Sequence, residues 1–337
     1  MKKFLLLITT VIMTTLSTFA QADSNAVAAE EQVINVIAYF SKNDTMTYTF
    51  TDIEEKIQGN DTIQDHCIVE NFMVVVTDST NEGYRLEIST IDYEVEYAND
   101  FQKQLYDQMM QLGKDTKLIV TTDEMGAVQH IENWQEIRDL NRRGIPMMFD
   151  TLYAKLPGLD SIMPRRPLES FLLLQYTTEQ GIMQGSSELP LLFGLHGKAL
   201  TIGENKVTST NALGYPEEIT MVVGYLKPKT EYDYEEDYAL YAQTECTVPS
   251  EDALELAKNA LGMVVSDKTH DQMFGSEGTM EEARNILGDE MKVTLLESYE
   301  YFLNGWPKES SKLQTTTYGQ TQKRVLKQVE WTSRVWK

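Results

Sequence analysis

Apolar and polar residues alternate over long stretches of this 337-residue chain. The alternation is clearest over residues 291–303, and it ends at Asn304-Gly305, a strong signal for a two-residue hairpin. A shorter alternating run, with threonines at the polar positions, covers residues 46–50. When apolar residues recur at every second position, one face of the strand is apolar and packs on a core. The sequence therefore predicts long strands joined by hairpins, an antiparallel sheet without regular β-α-β crossovers.

The apolar positions between residues 84 and 97 change parity near Thr90. Such a one-residue change turns every later side chain to the opposite face of the sheet. A β-bulge or bend near Thr90 explains the change, and bulges of this kind occur in strongly curved sheets. The sequence therefore predicts a curved sheet.

Helical periodicity interrupts the strands in several places. Asn99 opens an amphipathic helix that ends at Gly113, and Asn133 with Glu136 resembles a capping box at the start of a second helix. Prolines and apolar residues in the middle of the chain predict short connecting helices, and Ser250 begins a further helix.

We predict an α+β fold consisting of a large curved antiparallel sheet, an open half-barrel, with helices packed on its concave face. One domain is expected over residues 23–337, with halves at about 32–143 and 198–337 joined by a helical segment at 144–197. Each half shows strands, an amphipathic helix and a glycine hairpin. An internal duplication explains this order, although strand-helix-strand order is also common without one.

The first 22 residues have the features of a signal peptide. Two lysines precede a mostly apolar run over residues 4–19, and Ala20-Gln21-Ala22 provides a cleavage site. The run is short and rich in threonine, which disfavours a permanent membrane helix. Asp23 follows the expected cut, so no cysteine there can carry a lipid anchor. We expect a periplasmic or secreted protein without an integral membrane segment after cleavage.

The chain is strongly acidic, with a formal net charge of -23. Loss of the two signal lysines would bring this to about -25. A chain of this charge should repel nucleic acid and anionic lipid head groups, so no nucleic-acid partner is expected. The acidity keeps an exported protein soluble; a surface that binds cations or a basic partner is the alternative.

Only two cysteines are present, Cys67 and Cys246. An oxidising compartment and an even count permit one disulfide between them, which would join the two halves. Two unpaired, buried thiols are the alternative.

No motif in the chain carries identifiable chemistry. The four histidines lack the spacing of metal ligands, and no nucleophile elbow or phosphate loop is present. We therefore predict no catalytic residue, no metal site and no cofactor. An enzyme assembled from dispersed residues remains a third possibility.

Two sets of residues are candidate sites. Flexible, polarisable methionines and large apolar residues of the middle segment are candidates for binding a hydrophobic ligand, although they would equally fill an ordinary core: Met109, Met110, Met147, Met148, Phe149, Phe171 and Leu174. Serines and threonines that directly follow an aspartate resemble periplasmic O-glycosylation acceptors, although Asp-Ser and Asp-Thr pairs are also common in turns. The candidate acceptors are Thr45, Thr62, Ser79, Thr151 and Ser161.

The signal, the long strands on either side of a short helix, and the hairpins at 123–128 and 304–307 resemble those of uncharacterised exported bacterial proteins. The fold is similar to the half-barrel of the lipoprotein-localisation-factor type. No functional residue is carried over from this resemblance. The methionine-rich middle segment against a curved sheet predicts a non-enzymatic protein that binds a hydrophobic ligand, such as a lipid or acyl chain, between sheet and helices. The alternative is a cell-envelope module that binds another protein through a strand edge or apolar patch.

Overall fold

The computed structural model describes residues 32–230, 232–275 and 277–335. The expected signal peptide at residues 1–22 lies outside the described residues. The described chain forms an open antiparallel sheet of eleven strands and a separate two-stranded sheet, with helices inserted between strands. The predicted α+β class is therefore confirmed.

The strands follow in chain order as β1 (Val33–Asn35), β2 (Thr45–Gln58), β3 (Asp61–Thr80), β4 (Gly83–Tyr97), β5 (Leu118–Thr122), β6 (Val128–Ile131), β7 (Ala199–Thr201), β8 (Gly203–Thr210), β9 (Pro216–Tyr225), β10 (Tyr238–Pro249), β11 (Glu290–Tyr301), β12 (Pro307–Tyr318) and β13 (Thr321–Val335). The large sheet has the order β6-β5-β4-β3-β2-β13-β12-β11-β10-β9-β8, and β1 pairs with β7. Every pairing is antiparallel, including β1 with β7 and β2 with β13, which are distant in the chain.

The helices are α1 (Asp100–Gly113), α2 (Trp134–Lys155), α3 (Leu159–Ile162), α4 (Arg165–Tyr176), α5 (Glu179–Gly185), α6 (Glu188–Phe193), α7 (Ser250–Gly262), α8 (Asp267–Phe274) and α9 (Glu277–Leu287). Among the described residues, no helix combines the length and the apolar character that a membrane crossing requires. The first half of the sheet has α1 between β4 and β5, and the second half has α7 to α9 between β10 and β11. The order of three strands, helical insertion and hairpin therefore recurs.

The sheet consists of two meanders that meet where β2 pairs with β13. This pairing runs from Thr321 opposite Gln58 to Val335 opposite Thr45. It joins the beginning of the described sheet to its last strand. All eleven strands therefore share one continuous ladder of backbone hydrogen bonds.

The helices pack on one face of the sheet, the concave face. Met46 and Tyr48 of β2 lie in a buried cluster with Leu192 of α6, and Val293 of β11 lies in another with Leu254 of α7. The cross-strand register places the β2 and β11 residues of these clusters on the same face. The convex face carries no helix among the described residues.

The predicted bulge is confirmed. Thr90 pairs with Phe72, but Asp92 pairs with Asn71, so Ile91 has no partner on β3. The extra residue restores the inward direction of the later apolar side chains of β4. The predicted hairpin at Asn304-Gly305 is also present between β11 and β12.

The capping box expected at Asn133 does not form. Its Oδ1 accepts a hydrogen bond from the backbone N–H of Ile119 at 2.9 Å, and its Nδ2 donates to the carbonyl of Lys117 at 2.7 Å. The side chain therefore fastens α2 to β5 and does not cap the helix. The helix then continues through Pro146, where the sequence predicted only short helices.

The candidate disulfide is wrong, because Cys67 and Cys246 are both free. Cys246 lies in the buried cluster on the concave face of β10, whereas Cys67 lies on the convex face of β3. Four strands separate them, which is about 24 Å along the sheet at roughly 4.8 Å per strand. A disulfide requires the two Cα atoms to lie within about 7 Å.

Candidate functional site

A cavity of about 110 Å³ lies on the concave face, beneath the helices. Its walls come from β2 to β4, the loop before β5, and the first residue of α6: Phe50, Glu70, Phe72, Ile88, Thr90, Thr116, Leu118 and Glu188. The apolar walls form because alternate residues of β2, β3 and β4 point toward the helices. Two carboxyl groups interrupt this apolar lining.

The pKa values of both carboxyl groups are raised above the ordinary value of a glutamate. Burial raises the pKa of Glu188 to about 7, and the nearby Glu70 contributes in the same direction. Burial also raises the pKa of Glu70, although a hydrogen bond from Thr90 Oγ1 to Glu70 Oε1 at 2.5 Å opposes this. Glu188 is therefore about half protonated at neutral pH.

A charged network borders the cavity on the β2 and β13 side. His66 Nε2 lies 3.3 Å from Asp52 Oδ1, and Lys327 Nζ lies 3.8 Å from the other oxygen of Asp52. Lys327 also donates to Ser187 Oγ at 2.7 Å. Burial opposes protonation of His66, but the hydrogen bond and charge of Asp52 outweigh it and raise the pKa. Asp52 on the concave face thus lies between two cationic partners, His66 and Lys327.

The seven candidate ligand-binding residues do not line this cavity. Met109 packs against α2 at Gly144, where its sulfur atom would lie 3.2 Å from an added Cβ. Phe149 is buried beside the ring of Tyr153. Met110 and Met148 are half-buried. Sequence periodicity could not separate these packing roles from binding roles, because both use the same residue types.

The other three candidates face solvent. Met147 is 57 % exposed, Phe171 is 43 % exposed and Leu174 is 73 % exposed. They lie on outward faces of α2 and α4, two helices that pack against each other. We name residues 134–176, comprising α2, α3 and α4, the helical layer.

Polar contacts hold the helical layer together and attach it to the second half of the molecule. Arg165 Nη1 lies 2.6 Å from Asp150 Oδ1, and Asn141 Nδ2 donates to the carbonyl of Tyr176 at 2.8 Å. The backbone N–H of Ser266 donates to the carbonyl of Ile162 at 3.0 Å. The layer therefore runs from the β5–β6 edge of the sheet to α8.

The helical layer differs from the rest of the chain in charge. Residues 134–176 contain six arginines and lysines against five carboxylates, in a chain with net charge -23. Arg142, Arg143 and Arg166 are exposed. The net charge of the whole chain hides this segment, which only a local count of charge over residues 134–176 reveals.

The candidate glycosylation residues are spread over the molecule. Thr62, Ser79 and Ser161 are exposed, whereas Thr45 and Thr151 are half-buried. Ser79 Oγ donates to the carbonyl of Phe40 at 3.1 Å, and Thr151 Oγ1 donates to the carbonyl of Met147 at 3.1 Å. Glycosylation stays a prediction at all five positions.

No family model and no curated protein matches this sequence. Among solved structures, one of lipovitellin, described by its lipid-protein interactions, is similar over 88 % of this chain at 8 % identity, with a TM-score of 0.42. This chain spans 26 % of the lipovitellin chain. An outer membrane channel from Pseudomonas putida F1 is similar over 91 % of this chain and all of its own, at 6 % identity with a TM-score of 0.14.

Proposed function

We propose that this chain is a non-enzymatic exported protein, periplasmic or secreted, that binds a lipid or acyl chain between its curved sheet and its helical layer. One observation carries the proposal. The helical layer exposes large apolar side chains beside arginines, on a molecule that is acidic elsewhere.

This combination is typical of surfaces that contact lipid. Basic amphipathic helices place apolar side chains among acyl chains and direct their cations to anionic head groups. Arginine can do both, because its aliphatic stem lies along apolar surface while the guanidinium reaches polar groups. Phe171 and Leu174 would supply the apolar contact, and Arg166 the ionic one.

The cavity beneath the helices would receive part of the ligand. Phe50, Phe72, Ile88 and Leu118 give it apolar walls. Its volume of about 110 Å³ is smaller than the roughly 300–1,000 Å³ of most ligand pockets. Lipid binding therefore requires helices over the concave face to move away from the sheet. In α4 no residue is fully buried, so little apolar contact opposes movement of this helix. By contrast, α2 keeps Ile145 and Phe149 buried, and α6, whose Glu188 lines the cavity, keeps Leu191 and Leu192 buried.

The lipid-contact test compares two double variants by flotation with vesicles of phosphatidylglycerol. Phe171→Ser with Leu174→Ser removes the apolar side chains of α4. Val222→Ser with Leu296→Ser removes two similarly exposed side chains from the convex face. We expect the first variant to bind vesicles at least tenfold more weakly, from a loss on the order of 1.5–3 kcal/mol per buried side chain, and the second to bind as wild type. Equal binding by all three proteins contradicts the proposal.

A second comparison tests entry of the acyl chain. Thr116→Phe places a ring at the cavity, and Thr315→Phe places the same ring on the convex face of β12. We expect Thr116→Phe alone to reduce the lipid recovered by solvent extraction from the purified protein. Unchanged recovery would show that lipid does not enter this cavity.

The paired carboxyl groups are the observation that favours an enzyme as the second candidate, since perturbed pKa values accompany catalytic sites. In our proposal the pair is structural. Glu188→Gln should then leave vesicle binding unchanged while altering the pH dependence of stability.

A further inference from the structure

The convex face of the sheet carries a continuous apolar row. Direct cross-strand neighbours on five adjacent strands, from β11 to β3, form the row: Leu296, Leu313, Leu326, Ile53 and Cys67. At about 4.8 Å per strand, the row is roughly 20 Å long. We name it the convex apolar row.

This row departs from the usual pattern of a solvated sheet face. An antiparallel sheet with one face on a core ordinarily presents polar side chains on the other face. The rows on either side follow that pattern over β13 to β11, with Gln328, Ser311 and Ser298 on one side. Leu296 is 42 % exposed, and its direct neighbour on β10 is Gln243. The cross-strand pair Tyr241 and Val222 on β10 and β9 lies diagonally from Leu296, opposite Ser298, and is exposed to a similar degree.

Three glutamates run parallel to the convex apolar row. Glu300, Glu309 and Glu330 are direct cross-strand neighbours on β11, β12 and β13. Each lies four residues along its strand from the row, a separation of about 13 Å. Like charges directly opposite each other destabilise a sheet. Burial raises the pKa of Glu309, and the charges of its two glutamate neighbours raise it further, although a hydrogen bond from Gln328 and the charge of Lys229 oppose this.

The lysines of the same strands do not neutralise these glutamates. Lys327, Lys323 and Lys312 belong to the opposite, concave parity, where they lie near Asp52, Glu54 and Glu297 respectively. Two cations share the convex parity: Lys292 lies 2.7 Å from Glu245, and Arg324 lies on the other side of the row from the three glutamates. The three glutamates therefore leave one side of the row negative, and the row itself is half-buried except for the exposed Leu296. A surface of this composition is complementary to aliphatic side chains flanked by cations.

We propose that the convex face docks a cationic amphipathic segment of another protein. Aliphatic side chains of the partner pack along the convex apolar row, and its lysines or arginines reach Glu300, Glu309 and Glu330. The site is separate from the proposed lipid site, because the two lie on opposite faces of the sheet.

The test uses the full chain and a synthetic helical peptide of leucine and lysine, with the leucines along one side. Its matched control is the same peptide with glutamate in place of lysine. Binding is measured by fluorescence anisotropy at two salt concentrations. We expect binding of the lysine peptide that weakens with salt and no binding of the glutamate peptide.

Variants locate the binding surface. Leu296→Asn with Leu326→Asn should weaken peptide binding at least tenfold, and Glu309→Gln with Glu330→Gln should weaken it severalfold and flatten the salt dependence. Glu235→Gln with Glu236→Gln removes two exposed charges elsewhere and should change binding little. Phe171→Ser with Leu174→Ser should leave it unchanged, which separates this site from the lipid site.

Three outcomes overturn the proposal. Equal losses in the convex and control glutamine variants would show nonspecific attraction to an acidic chain. Binding of the glutamate peptide would exclude the role of the three glutamates. A dimer in sedimentation that Leu296→Asn abolishes would identify a second copy of this chain as the occupant.

Discussion

The Glu188 carboxyl group has an unfavourable position at the start of α6. It faces a small apolar cavity that also holds Glu70. Lys327 favours its ionised form only in part, since the ammonium group lies with Ser187 and Asp52. The folded protein therefore binds a proton at Glu188 that the unfolded chain would release at neutral pH.

Because the folded protein binds this proton, we expect its free energy of unfolding to fall as the pH rises. The pKa of Glu188 is about 7 in the folded protein against an ordinary 4.5, so its favourable contribution is complete below pH 4.5 and is lost as the pH rises through 7. Glu188→Gln cannot ionise. At pH 8 we expect the free energy of unfolding of this variant, measured with urea, to exceed that of wild type by on the order of 1–2 kcal/mol for this half-buried residue. At pH 4.5 the two free energies should be nearly equal.

The control for this comparison is the exposed Glu236. Glu236→Gln should keep the pH dependence of the wild type. If Glu188→Gln shows that same dependence, the Glu188 carboxyl group is hydrated and the pKa argument fails.

The carboxyl pair could not be predicted from the sequence. Glu70 occupies a concave position of β3 that continues the parity of Phe72, and nothing local distinguishes it from the chain's many other acids. Glu188 comes near it only through the packing of α6 on the sheet. Pairs brought together by tertiary packing leave no local pattern.

Single elements were far more predictable, because their signals are local. The hairpin at Asn304-Gly305 needs a glycine at positive φ, and the bulge near Thr90 needs only a change of parity. The prediction at Asn133 was wrong for the opposite reason. Its side chain had two hydrogen-bonding choices, and the distant strand β5 decided between them.

The turn at Gly305 predicts a large effect of one methyl group. Gly305 has φ +81°, and an added Cβ would lie 2.3 Å from the carbonyl oxygen of Ile37, so backbone must shift. Gly59 has φ +62° and open space around it. We expect Gly59→Ala to cost about 1–2 kcal/mol and Gly305→Ala to cost about 3 kcal/mol or more, measured by urea unfolding. Equal losses would contradict the close approach at Ile37.

At the scale of the whole molecule, the pairing of β2 with β13 decides whether the halves unfold together. Val329 of β13 is fully buried at this junction, opposite Phe50. The sequence predicted one domain but not this pairing, because no local sequence pattern indicates which strands far apart in the chain will pair.

Because the two halves meet at this junction, we expect one substitution there to destabilise both halves of the sheet. Val329→Asp buries a charge in the core and should destabilise the protein by about 3–5 kcal/mol, with hydrogen exchange increasing together in β3 and β11. Thr317→Asp, on the convex face of β12, is the control and should cost under about 1 kcal/mol. Faster exchange confined to β3 would indicate two separately folding halves.

The uneven distribution of charge also gives the molecule a preferred orientation. A bilayer with anionic head groups repels the glutamates of the convex face and attracts the arginines of the helical layer, over a range of about 8 Å at physiological salt. A molecule that diffuses toward such a bilayer is turned before it touches, with its helices toward the lipid. Its convex face then points into the surrounding solution, where a soluble partner can reach it.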